Sequence, residues 1–249
     1  MDAVEGGRSW TASPAETIQS LLNPPSAENG EYALSFDGVD DFVRLPFGYQ
    51  GEHPLTIEVD VEVTDESRSG AVVSTTQYSG LGITTTRVGS DKSRSAVYSL
   101  IGAQAQTASA GYLRTEVTEL PLIPSVVRLT MVVDNDGFSL FVNGKKSGEI
   151  ELSGTYTFND LNFVLGASPV DGTAIDFPFR GIIHRVRFSD IARYDQNHTP
   201  AELVPDEHTI ALYRFDEGQG SVLSDSSGNG HHGKIVGARW MKVVPASEQ

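Results

Sequence analysis

Apolar and polar positions along this chain follow two different periods, and the change comes at Tyr32. Before it, Ser13-Pro14-Ala15-Glu16 opens a helix, with a Ser cap, Pro in the first turn and Glu at the third helical position. Ile18, Leu21 and Leu22 then form a short apolar stripe, which Asn23-Pro24-Pro25 ends. This predicts one helix of about ten residues within a segment 1–30 that precedes the main domain. From Tyr32 onward apolar residues alternate with polar ones, the pattern of strands with one face in a core.

Ala33-Leu34-Ser35-Phe36 and Phe42-Val43-Arg44-Leu45 flank an acidic turn from Asp37 to Asp41. In the strand at 55–63, Ile57, Val59, Val61 and Val63 share one face, and Glu58, Asp60 and Glu62 share the other. Further strands are predicted at 71–74, 81–84, 96–100, 115–117, 162–166 and 179–188. Between 127 and 152 three strands are separated by Asp134-Asn135-Asp136-Gly137 and by Asn143-Gly144. Asn-Gly between alternating strands specifies a type I′ turn, because both central residues need positive φ. Residues 199–203 read as one capped helical turn.

Many short strands with little helix imply an all-β fold, an antiparallel two-sheet jelly-roll sandwich over 31–245. No internal repeat of about 20–50 residues occurs, which argues against propellers and solenoids. Two distant stretches, 32–45 and 212–235, each join a strand to an acidic loop. They are predicted to meet and close the sandwich, with Phe36 and Phe215 in one core.

A chain of 249 residues with 39% hydrophobic content is long enough for one large β domain. The net charge of −15, with 18 Lys and Arg and no basic run, argues against nucleic-acid binding. The absence of cysteine excludes disulfides, thiolate metal sites and a Cys nucleophile. No apolar run approaches the ~20 residues that span a bilayer, so direct membrane insertion is not expected. The N-terminal MDAVEGGRSW lacks the features of a signal peptide, leaving a cytoplasmic protein or a piece of a longer exported chain.

Four separated motifs resemble one known family. YALSFDGVDDFVRLP followed by LTIEVDVEV resembles the opening of the laminin-G-like jelly-roll domains of the concanavalin A-like lectin/glucanase superfamily. MVVDNDGFSLFVNGKKSGE resembles that family's central hairpin, and FPFRGIIHRVRFSDIARY a later strand. FDEGQGSVLSDSSGNGHHGKIVGARW resembles its carboxy-terminal signature. The likeness covers about 31–241. It implies an adhesion or carbohydrate-recognition module of a larger extracytoplasmic protein, at the periplasm or cell surface, binding a glycan or a protein. A purely structural spacer without ligand is a further reading.

Two constellations carry candidate chemistry. Glu58-Val59-Asp60-Val61-Glu62 has the E-x-D-x-E form in which retaining glucanases of the same superfamily present nucleophile and acid. A retaining pair stands about 5–5.5 Å apart on an open groove. Against catalysis, the only tryptophans are Trp10 and Trp240, near the termini, and acidic residues on a solvent-facing strand are an ordinary outcome of alternation. The second constellation is Asp37, Asp40 and Asp41 in one loop with Asp225 and Asn229 in the other, hard oxygen donors suited to Ca²⁺. The family resemblance implies calcium as well, whereas the plain reading is that these residues form turns.

Other signals are weaker. His231 and His232 point apart on an extended segment, and His53, His184, His198 and His208 are scattered. Gly228 to Lys234 spells G-x-x-x-x-G-K but continues with Ile235 rather than Ser or Thr. Asn197-His198-Thr199 is a glycosylation triplet. Tyr78, Tyr98, Tyr112 and Tyr156 fall in or near loops and could meet a sugar, but sequence does not put them on one face.

Overall fold

The computed structural model describes residues 32–63, 69–90, 94–105, 111–120, 126–152 and 154–243. The helix expected within 1–30 lies outside them.

The first strands are β1 (Tyr32–Asp37), β2 (Phe42–Arg44), β3 (Leu55–Glu62), β4 (Gly70–Ser74), β5 (Leu81–Val88) and β6 (Arg94–Ala105). There follow β7 (Gly111–Arg114), β8 (Thr118–Glu119), β9 (Val127–Val133), β10 (Gly137–Val142), β11 (Lys145–Glu151), β12 (Gly154–Tyr156) and β13 (Val164–Leu165). The last are β14 (Ser168–Pro169), β15 (Ile175–Asp176), β16 (Arg180–Ser189), β17 (Thr209–Tyr213), β18 (Val222–Leu223), β19 (Gly233–Val236) and β20 (Arg239–Lys242). One sheet runs β11-β10-β9-β3-β16-β1-β20, with β17 also on β16. The other runs β12-β6-β5-β4-β13-β2-β19-β18, with β7 and β8 on β6. All these ladders are antiparallel, giving the expected two-sheet sandwich.

The two stretches predicted to close the fold do so. β2 pairs β19 (Arg44 with Lys234, Val43 with Ile235) while β1 pairs β20 (Tyr32 with Lys242, Ser35 with Arg239). Phe36 and Phe215 belong to one core. The inward faces of the central strands fill it, among them Ile57, Val59 and Val61 of β3, Leu129 and Met131 of β9, and Val186 and Phe188 of β16. Burying such a side chain contributes about 1.5–3 kcal/mol, and the sum over the cluster drives the collapse.

Asn143 (φ 49°) and Gly144 (φ 74°) both take the left-handed conformation required of a type I′ turn between β10 and β11. Two local expectations are corrected. Residues 115–117 are not a strand but the break between β7 and β8, where the Thr115 side chain accepts from the Ser99 backbone N–H. Residues 199–203 are irregular rather than helical, and the carbonyls of Ala201 and, just beyond, Val204 accept from Arg128 and Arg187 of the sheet beneath. The short β14–β15 hairpin is an addition that the alternation does not announce.

Candidate functional site

The three carboxylates of β3 do share one sheet face, but that face is not an open groove. In register with Asp60 is Arg128 of β9, and in register with Glu58 is Arg187 of β16. Arg128 grips Asp60 in a fork, Nη2 to Oδ2 at 2.7 Å and Nε to Oδ1. Arg187 donates from Nε to Glu58 Oε2 at 2.6 Å, and the Tyr194 hydroxyl donates to Oε1 at 3.0 Å. The segment 190–206 lies over this layer: Arg128 and Arg187 donate onward to the carbonyls of Ala201 and Val204, and Thr56 to that of Ile191. Glu58 is 1% and Asp60 6% exposed, while Glu62 at the strand end stays partly open, 3.8 Å from His184. Burial first, and then the Glu58 charge, push the Tyr194 phenol up to about 12, so it remains a neutral donor. His198 stacks on Tyr194 at 3.5 Å, and burial lowers its pKa. Such a buried layer holds its charges paired and hydrogen-bonded, so removing one partner would leave the other charge buried and uncompensated.

The acidic donors expected to share a cation separate into two places. Asp37, Asp40 and Asp41 bring oxygens within 4.8 Å of one another. Their turn is built from its own side chains: Asp37 Oδ1 accepts from the Val39 N–H and Asp41 Oδ2 from the Asp37 N–H, both at 2.8 Å, with Gly38 at φ 77°. Burial raises the Asp41 pKa, and the charges of Asp37 and Asp40 raise it further, against Arg239 nearby. Asp225 and Asn229 do not join them. β19 begins just after their loop and ends beside Asp41, so about 13 Å of strand separates the two. Asp225 accepts from the N–H groups of Leu212, Ser227 and His231 and from the Ser227 hydroxyl. Asn229 donates to the carbonyls of Thr209 and Ile210. Both are therefore occupied in fastening their loop to β17.

A third place carries polar groups that sequence reading did not single out. The loop between β2 and β3 and the segment between β12 and β13 border an open cavity of about 410 Å³ at one end of the sandwich. Gln50, Glu52, Asn159, Asp160 and Asn162 line it with Tyr49. Gly48 lets the two walls meet, since a Cβ there would stand 2.5 Å from the Leu161 carbonyl oxygen. Gln50 donates to Asp160 Oδ1 at 2.8 Å across the cavity, and Asn159 accepts from the Leu161 N–H at 3.0 Å. The Tyr49 hydroxyl donates to the His53 carbonyl. Amides and carboxylates set in pre-bonded loops suit the hydroxyl groups of a small polar ligand, and the volume falls in the ~300–1,000 Å³ range of ligand sites. The only sequence signal was the clustering of Asn and Asp in 159–162, which turns also produce.

The remaining motifs resolve simply. Lys234 lies in β19, paired with Val222 and Arg44, so a strand stands where a phosphate loop needs a helix. The Asn197 side chain accepts from the Lys146 N–H. Tyr98 and Tyr156 are half-buried, whereas Tyr78 and Tyr112 are exposed. Among the described residues no helix is long and apolar enough to cross a membrane.

Among curated proteins none matches the sequence. A candidate carbohydrate-binding protein from Bacteroides ovatus has a similar structure, at 17% identity and a TM-score of 0.61, covering 86% of this chain and 61% of that one. The chain thus spans about three fifths of that relative. The heptameric SAP-like pentraxin of Limulus polyphemus aligns at 15% identity and a TM-score of 0.50, over 66% of this chain and 78% of its own. Domains LG4-5 of the mouse laminin alpha1 chain align at 14% identity and a TM-score of 0.46, over 70% and 48%. The family described as the concanavalin A-like lectin/glucanases superfamily (Laminin_G_3) matches residues 37–197. A sandwich of this topology and a match over most of the chain lead to one assignment: the protein belongs to the Laminin_G_3 family of that superfamily.

Proposed function

We propose that this domain is a non-catalytic recognition module for a glycan, working outside the cytoplasm as part of a larger surface protein. The observation that carries the reading is the rim cavity, where Gln50, Glu52, Asn159 and Asp160 present donors and acceptors on loops braced by the sandwich. Pre-formed polar sites of this kind bind by matching hydroxyl groups without ordering a loop. Membership in a lectin-containing superfamily supports the carbohydrate, and the laminin-G-like family supports the location. The alternative of a retaining glycosidase using Glu58, Asp60 and Glu62 finds little support, because the oxygens of Glu58 and Asp60 are committed to Arg187, Tyr194 and Arg128 beneath a covering segment. A nucleophile has to reach the anomeric carbon.

The Asp37–Asp40–Asp41 bend is the place we assign to a Ca²⁺. Its donors fit a hard cation: three carboxylates lie within 4.8 Å, and Asp41 sits in a field of like charge that a cation relieves. Ca²⁺ takes about six to eight oxygens, so backbone carbonyls and water would complete the shell. Asp225 and Asn229 have no part in it.

The test is a glycan array with the purified domain, run with calcium and with chelator, alongside a reducing-end assay on β-glucans. Binding without release of reducing ends is expected. Hydrolysis that stops with Glu58→Gln would reverse the reading, and an empty array would leave a protein as the ligand.

A further inference from the structure

The loop between β4 and β5 holds the most exposed large apolar side chain among the described residues, Tyr78 at 87%. Its backbone has φ 62°, the left-handed region that a side-chain-bearing residue adopts only under constraint. The ring buries nothing that would compensate. The constraint comes from the wall of the rim cavity. Asn159 donates from Nδ2 to the carbonyls of Thr75 (2.7 Å) and Ser79 (3.2 Å) on either side of Tyr78, and the Ser79 hydroxyl donates to the Phe158 carbonyl at 3.2 Å. The Tyr112 hydroxyl, from a ring 42% exposed, donates to the same Ser79 carbonyl at 3.0 Å. The Gln77 N–H bonds the Ser79 carbonyl and closes the bend around Tyr78 itself. The base of the loop is thus pinned through Asn159 to a residue that lines the cavity, and at its tip Tyr78 presents an exposed phenol ring.

We propose that Tyr78 is a stacking platform for a sugar ring next to one held in the cavity, so that the site takes a neutral oligosaccharide of at least two units. This rests on the carbohydrate reading above. The electron-rich face of an aromatic ring attracts the polarised C–H groups on the apolar face of a pyranose. A clamped backbone carries the ring without loss of backbone freedom on binding. Glu52 and Asp160 in the cavity, on a chain of net charge −15, repel uronic acids, sialic acids and sulfated sugars.

The experiment uses an array of neutral cello-, laminari-, xylo- and manno-oligosaccharides together with oligogalacturonate and sialyllactose. The strongest neutral hit is then titrated as monosaccharide and disaccharide against wild type, Tyr78→Gly and Gln50→Ala. Only neutral sugars are expected to bind. Tyr78→Gly should weaken the disaccharide about tenfold while leaving the monosaccharide within about twofold. It should also raise Tm by about 2–4 °C, since glycine accepts the positive φ. Gln50→Ala should weaken both sugars. If Tyr78→Gly binds the disaccharide like wild type while Gln50→Ala loses it, the platform is refuted and the carbohydrate reading stands. An array on which wild type binds nothing removes both. A preference for acidic sugars overturns the ligand class, and a lower Tm in Tyr78→Gly makes Tyr78 a structural residue.

Discussion

The two acidic loops look alike in sequence, yet their carboxylates meet opposite fates. Asp225 is enclosed by four donors from Leu212, Ser227 and His231; burial alone would raise its pKa, but these hydrogen bonds more than reverse the shift and lower it. Asp41 is also buried, but it has the Asp37 N–H as its backbone partner and two further carboxylates as neighbours, so its pKa rises. One loop uses its acid as a rivet for the backbone. The other accumulates charge that the protein alone does not neutralise. Counting aspartates therefore says little about cation sites; counting the N–H groups aimed at each oxygen says much more.

The largest expected effect lies outside both loops, at the buried, arginine-paired Asp60. Arg128→Ala should cost about 3–5 kcal/mol, because it strands a buried carboxylate. At 249 residues this lowers Tm by about 10 °C, measurable by calorimetry. Replacing both partners with apolar residues (Asp60→Leu with Arg128→Met) should recover most of the loss; no recovery would mean that packing, not charge pairing, dominates. Asp225→Ala comes next, at about 2–3 kcal/mol, as three backbone donors lose a charged acceptor.

Acid titration separates the two loops by sign. Asp225 and Asp206 have lowered pKa values, the latter held down by a bidentate Arg193. Their stabilisation is present above the ordinary carboxylate value of about 3.9 and is lost as pH falls through their folded values. Asp41 works the other way: its raised pKa makes its ionised form a cost that grows as pH rises. Asp225→Asn should therefore destabilise more at pH 7 than at pH 3, and Asp41→Asn less, by urea unfolding at each pH. Calcium at about one hundred times its Kd should stabilise wild type by about 2.7 kcal/mol, read as a Tm shift that chelator reverses. Asp40→Asn should remove that shift while changing the calcium-free protein by no more than about 0.5 kcal/mol. An unchanged Tm in millimolar calcium would reduce the bend to a turn.

Much of the fold was legible because it is written locally. The complete alternation of 55–63 defines β3, and Asn143-Gly144 fixes a turn with two positive φ values. What escaped depends on partners distant in sequence. Glu58 and Asp60 were read as a groove or a solvent face, since their arginines lie 129 and 68 residues away. Arg128 and Arg187 each interrupt an apolar strand on its outer face, and a basic residue in that position is the trace of a buried acid on the next strand. The separation of Asp225 from the Asp37–Asp40–Asp41 bend has a similar origin. Pairing of β2 with β19 was foreseeable, but which end of β19 faced Asp41 was not. The rim cavity needed two loops distant in sequence to be placed together, and loop composition alone does not do that.

The pairing of β1 with β20 also has a mechanical consequence. Tyr32 and Lys242 are opposite one another at the same end of an antiparallel ladder, with Ser35 and Arg239 at the other. Tension applied at those two residues loads the rungs one after another, peeling the strands apart instead of sliding them. Under load this seam is the weak point, and pulling the domain by single-molecule force spectroscopy from 32 and 242 should open it at lower force than pulling from 32 and 180, which lie at opposite ends of the β1–β16 ladder and load its rungs together.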